Sequence, residues 1–269
     1  MHLVSCAVWS VMGSLACLGA LVNAAGVLEI DVVSPRPNGT YAPREHFPII
    51  FAIQNANMAQ LLQPEIYLFI RNGPDLRSAF GDSIHDLTYA NYSSEPYFVY
   101  HHVNIETEGR YQLFSTVTWR SCNVSGDEVS ILGNDINFNV YFNISRGAQE
   151  VDLVAATAND KTCPPENRVT INMTDQILEV APVYWDAHRP SGTYAVLASS
   201  SPTPTANPCQ VRIDTAVVAS MSASLHAALC KGLNQPADSP KEDNAVQLLT
   251  VAGVTSFAAA FGAICFLFA

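Results

Sequence analysis

The sequence predicts a mainly-β domain, an immunoglobulin-like β-sandwich with one C-terminal helix packed on it. Three observations carry this. Short apolar or alternating runs rich in Val, Ile, Tyr and Phe recur between residues 26 and 198, separated by Gly, Pro, Asn and Asp. Two of them alternate cleanly. In 111–119, Tyr111, Leu113, Ser115, Val117 and Trp119 share one face; in 136–142, Ile136, Phe138, Val140 and Phe142 oppose Asn137, Asn139 and Tyr141. Finally, "ETEGRYQLFSTVTW" places Tyr111 just after a turn, as in the tyrosine corner of such sandwiches, with its hydroxyl expected on a backbone group near Glu106–Gly109.

In chain order, residues 1–24 read as a signal peptide: an apolar core from Leu3 to Leu21, then small residues up to a cut after Ala24. Residues 25–198 form the β-sandwich domain, with strands expected at 27–33, 48–54, 65–70, 97–103, 111–119, 136–142, 151–156, 168–173 and 193–198. Residues 199–208, "SSSPTPTANP", read as a linker. A helix within 209–232 completes the domain. Asp214 is its N-cap, Gly232 follows its end, and Val217, Met221 and Leu225 form an apolar stripe widened by Val218 and Leu229. Residues 233–247 are a polar spacer, and 248–269 an apolar tail.

The tail's 22 residues would span about 33 Å as a helix, close to the ~30 Å of a bilayer core. A small triplet at Ala237-Asp238-Ser239, the polar spacer and a terminal apolar run together form a signal for a glycosylphosphatidylinositol anchor, with Ala237 the expected attachment residue. A retained transmembrane helix is the alternative. The expected location is the outer face of the plasma membrane or the cell wall.

Of seven cysteines, Cys122, Cys163, Cys209 and Cys230 lie outside the two apolar ends. An even number in an oxidising compartment predicts two disulfides, of open pairing. A helix unbroken over 215–230 disfavours a local Cys209–Cys230 bridge. Sequons at Asn38, Asn91, Asn123, Asn143 and Asn172 predict N-glycosylation.

The formal charge of −11 argues against nucleic acid. No nucleophile elbow, zinc-binding H-E-x-x-H, phosphate loop or dinucleotide fingerprint is present, so no catalytic residue, metal ligand or cofactor is assigned. His101 and His102 are adjacent in a strand and point to opposite faces, one half-buried and one exposed. Glu106, Glu108, Asp135, Asp152 and Asp186 are candidates for a paired-carboxylate hydrolase. Tyr184, Trp185 and His188 read as loop residues packed on the core, with a sugar-stacking platform as the alternative. The functional expectation is a non-catalytic module that binds wall glycan or a surface protein. The alternative is a wall-polysaccharide hydrolase; a carboxylate pair across a cleft would favour it, and a flat aromatic patch the binding module.

"LEIDVVSPRPNGTYAP" with "FPIIFAIQN", and later "DLVAATANDKTCPPE" and "NPCQVRIDTAVVASMSASLHAALC", resemble segments of a family of fungal secreted proteins bearing a domain of unknown function. The resemblance spans roughly residues 27–231, apart from 75–95. It implies a fungal origin, secretion and an anchored tail, and brings no activity, cofactor or catalytic residue.

Overall fold

A computed structural model describes residues 26–73, 78–125, 128–158, 168–180, 192–198 and 211–230. The fold is mainly β, one mixed sheet built of two antiparallel ladders and carrying few helices.

The first ladder is built around β1 (Gly26–Ser34), which pairs with β3 (Arg44–Gln54) on one side and β9 (Arg168–Val180) on the other. β6 (Tyr97–Ile105) flanks β3, and β10 (Gly192–Leu197) flanks β9. The second is built around β7 (Gly109–Ser125), between β4 (Glu65–Asn72) and β8 (Glu128–Ile144). β5 (Ala79–Asp86) extends β4, and β2 (Thr40–Tyr41) adds a two-residue parallel pair to β8. The ladders join where Val196 of β10 pairs in parallel with Cys122 of β7.

Alternate residues of both ladders fill one apolar core: Leu28, Ile30 and Val32; Phe47, Ile49, Phe51 and Ile53; Ile66, Leu68 and Ile70; Tyr111, Leu113 and Val117; Phe138, Val140 and Phe142. β1 and β3 are buried on both faces, which is why they read as nearly continuous apolar runs. The Tyr111 hydroxyl donates to the Thr107 carbonyl at 2.7 Å, at the turn where the sequence placed it.

On the far side of the first ladder, Val33, Ile50 and Ala52 meet Leu153, Val211, Ile213 and Met221 in a second cluster. Met221 belongs to α2 (Thr215–Cys230), whose Asp214 carboxylate accepts from the Val217 N–H at 2.8 Å. Val217 and Val218 pack beside it. Leu225 and Leu229 are only half-buried, so the helix is seated mainly through its first half.

Three expectations are corrected. Residues 151–156 are not a strand: Leu153–Ala156 form a short helix, α1, because the Asp152 carboxylate accepts from the Ala155 N–H at 2.9 Å and Thr157 Oγ1 donates to the Leu153 carbonyl. Ile136 is 42% exposed rather than core, because β8 is the outermost strand at that level. β5 was absent from the sequence reading, since "AFGDSIHD" lacks apolar alternation. Its register on β4 shifts between Leu68 and Ile70, beside Gly81, whose φ of +60 and closeness to the Val103 side chain leave no room for a Cβ.

Candidate functional site

The outward face of the second ladder gathers aromatic rings and amides. On β4 the outward residues are Glu65, Tyr67, Phe69 and Arg71, alternating with the core trio Ile66, Leu68 and Ile70. Register places Phe114 opposite Phe69 and Asn139 opposite Phe114; the next row runs Tyr67, Thr116, Asn137, and the row after Arg71, Gln112, Tyr141. Phe69 and Phe114 stack with centroids 4.8 Å apart, and Tyr67 tilts against Phe69 at 5.9 Å. These three half-buried rings make an apolar ridge. Tyr141, 41% exposed, lies at one end with the Arg110 guanidinium 5.1 Å over its ring.

The amides beside the ridge are held in place. Arg71 Nε donates to Gln112 Oε1. Gln112 Nε2 in turn donates to Asn139 Oδ1 at 2.5 Å, and Thr116 Oγ1 donates to Asn137 Oδ1 at 2.5 Å. With both asparagine oxygens engaged, each amide offers its Nδ2 as a donor. Asn137 and Asn139 are exposed. The face thus offers an apolar ridge beside exposed amides, with the row Asp86, Glu65, Thr118 and Asp135 at its acidic end and Arg71 and Arg110 at the other.

Among the described residues, the carboxylates singled out for hydrolysis do not gather at one site. Glu106 is exposed in the turn before β7, and Glu108 accepts from the Arg146 N–H at 2.7 Å. Asp135 lies on the outward face opposite Thr118, Asp152 caps α1, and Asp186 is outside the described residues. His101 and His102 do point to opposite faces. His101 packs edge-on against His85 at 5.5 Å and His102 lies near Tyr100 at 6.3 Å; both are half-buried, so the expected exposed member is corrected. Among the described residues no group of three His, Cys, Asp or Glu could hold a metal.

Asn38, Asn91 and Asn123 are exposed, and Asn143 and Asn172 half-buried. Cys122 is buried, and burial pushes its thiol pKa up. Cys230 ends α2, 3.5 Å from His226 Nδ1. Cys163, Cys209, Tyr184, Trp185, His188, the attachment residue Ala237 and the apolar tail all lie outside the described residues. No described helix is long and apolar enough to cross a membrane.

Sequence reasoning passed over two further clusters. Glu29 and Asp31 point away from the main core on β1 and are 5% and 3% exposed. Gln54 Nε2 donates to Asp31 Oδ2 at 2.8 Å, while Asp31 Oδ1 has no hydrogen-bond partner. Burial first, and the neighbouring Glu29 second, raise the Asp31 pKa to about 8; the Gln54 hydrogen bond and Arg168 oppose the shift. The alternation E-x-D inside an apolar run was the available signal. Closed to solvent, this pair affects stability and is not presented to a substrate.

The second is a groove of about 280 Å3 between the first ladder and α2, with Arg44, His46, His102 and Glu150 at its polar end and Ile50 and Met221 among its apolar walls. Arg44 pairs with Glu150 at 3.4 Å. Burial, then the charges of His46, His101 and Arg44, lower the His102 pKa to about 4, so this imidazole is neutral near pH 7.

Residues 23–239 match a family profile described as "Domain of unknown function (DUF7136)". The chain belongs to the DUF7136 family. The match covers well over half of the chain and includes every described element of the DUF7136 fold. No curated protein and no solved structure matches the DUF7136 chain significantly.

Proposed function

We propose that this DUF7136 protein is a non-catalytic glycan-binding module displayed on a fungal cell surface or in its wall, and that the ridge and amides of β4, β7 and β8 are its binding face. The observation that carries the reading is the pairing of the Tyr67–Phe69–Phe114 ridge with the pre-oriented amides of Asn137 and Asn139. A pyranose ring has an apolar C–H face and a rim of hydroxyls, and a ridge flanked by fixed donors complements both. The scatter of the candidate carboxylates supports binding over hydrolysis.

The finer fold reading, an immunoglobulin-like sandwich, is supported by the Tyr111–Thr107 corner and by the single core filled from both ladders. Secretion is supported by the leader before Ala24 and by the five sequons; anchoring through Ala237 is supported by the polar spacer and the apolar tail. The family match runs from residue 23 to residue 239, between the apolar core Leu3–Leu21 and the tail that starts at Leu248. Fungal origin rests on the resemblance of the quoted segments.

The test is incubation of the full-length protein with chitin, β-glucan and mannan. Retention on at least one, with no new reducing ends, is the expected outcome. New reducing ends that vanish on Asp135→Ala or Asp152→Ala would replace this reading with the hydrolase. Failure to bind any of the three would remove the glycan reading and turn the search to a protein partner.

A further inference from the structure

β8 pairs with β7 along its whole length, in continuous register from Ser125↔Glu128 to Gly109↔Ile144. On its other side only Thr40 and Tyr41 pair with it, at Asn143 and Ile144, and the Asn38 N–H donates to the Tyr141 carbonyl. Among the described residues, 129–139 therefore present an open backbone edge. Natural edge strands are blunted by Lys, Pro, a bulge or short length. The segment "VSILGNDINFN" has no Lys, Arg or Pro, and Asp135 is its one charge. It exposes Val129 by 41%, Leu132 by 44% and Ile136 by 42%. None of Asn134, Asn137 and Asn139 begins a sequon, so the segment itself carries no glycan site; Asn143 lies beyond its end, and Asn123 sits one strand in, on β7 opposite Ser130.

We propose that this edge pairs antiparallel with the same edge of a second copy of the chain, about a two-fold axis at Asn134. Residues that pair across such a ladder share a face, so a two-fold axis must fall on a residue. An axis at Asp135 sets like charges directly opposite each other, which is unfavourable. An axis at Gly133 puts Leu132 against the partner's Asn134, and Ile136 against the partner's Ser130. An axis at Ile136 pairs Leu132 with the partner's Val140, whose side chain is already buried in its own core. The axis at Asn134 sets Leu132 against the partner's Ile136 and Ile136 against the partner's Leu132. It also sets Asp135 against the partner's Gly133, which has no side chain to repel or crowd it. Of these four axes it alone matches both exposed aliphatic side chains with exposed aliphatic partners.

The pairing joins the outward residues Asp135, Asn137 and Asn139 of the two copies into one uninterrupted sheet face. The self-association is independent of what that face binds, since it uses the backbone edge and the opposite side of β8.

Light scattering coupled to gel filtration on the full-length protein should give twice the monomer mass, falling to monomer for Leu132→Lys and Ile136→Lys, while Val154→Lys, exposed elsewhere, remains dimeric. The axis is tested separately. Asn134→Cys places two thiols across the two-fold at a separation that a disulfide spans. Mild oxidation should give a reducible covalent dimer with Asn134→Cys, and none above the unsubstituted background with Ser130→Cys, whose counterpart lies opposite Phe138. A monomer at every concentration, or cross-linking at 130 equal to that at 134, would overturn the proposal even if the lysine variants fail to fold.

Discussion

Tyr111 is 3% exposed, and its hydroxyl meets the Thr107 carbonyl at the point where the chain turns into β7. Tyr111→Phe keeps the ring in the core and orphans that carbonyl, so unfolding in urea should show a loss of about 1 kcal/mol; an unchanged midpoint would mean the corner contributes nothing. Asp31 has a pH signature of opposite sense to a salt-bridged aspartate. Its folded pKa of about 8 lies above the ordinary 3.8 of an aspartate, so between these the folded protein holds a proton that the unfolded chain has released. Stability from this group therefore falls as pH rises through that window, by at most ~1.4 kcal/mol per pH unit. The lowered pKa values of His85, His101 and His102 act the other way, withdrawing stability as pH falls below about 6.5. The useful measurement is thus the difference between the protein and Asp31→Asn. The variant should gain stability relative to the parent as pH rises from 4 to 8; a difference independent of pH would show Asp31 to be ionised in the fold. Glu29 and Asp31 were passed over in the sequence because two acids alternating in a strand ordinarily mark a wet face, and here that face is covered.

At the scale of elements, α2 is held at its start. Asp214→Ala removes the acceptor for the Val217 N–H and should cost about 1 kcal/mol. Met221→Ala, which empties the one buried position of the helix, should cost about 2–3 kcal/mol, whereas Leu225→Ala should cost much less. Equal losses at 221 and 225 by thermal or urea unfolding would mean the helix is seated along its whole length. This element was legible because cap, stripe and bounding Gly agree with one another. β7 and β8 were legible at their centres, where alternation is strict, but not at their ends, where pairing alone extends each to 17 residues. β5 and α1 were not legible. The first owes its existence to the β4 edge it pairs with, and the second to two short side-chain hydrogen bonds that override the β-branched and apolar run 151–156.

For the whole molecule, the two apolar ends and the folded middle make separate predictions. Phosphatidylinositol-specific phospholipase C should release the mature protein from membranes, and deletion of 233–269 should send it to the medium. A peptide spanning Leu248 recovered from mature protein would instead establish a retained helix. The candidate face lies wholly in the middle. Its aromatic members were visible in the sequence only as strand residues, because Phe69 and Phe114 are 45 positions apart and meet through the β4–β7 register. The asparagines of β8 were read as its wet side, without the ridge they stand beside. If this ridge holds a sugar ring, calorimetric titration of the full-length protein with an oligosaccharide of whichever polysaccharide retains it will register the contact. Phe114→Ala and Asn139→Ala should each weaken binding about tenfold, near 1.4 kcal/mol, with the unfolding midpoint moved far less than the affinity. Unchanged affinity in both folded variants would contradict the account and place the binding face elsewhere.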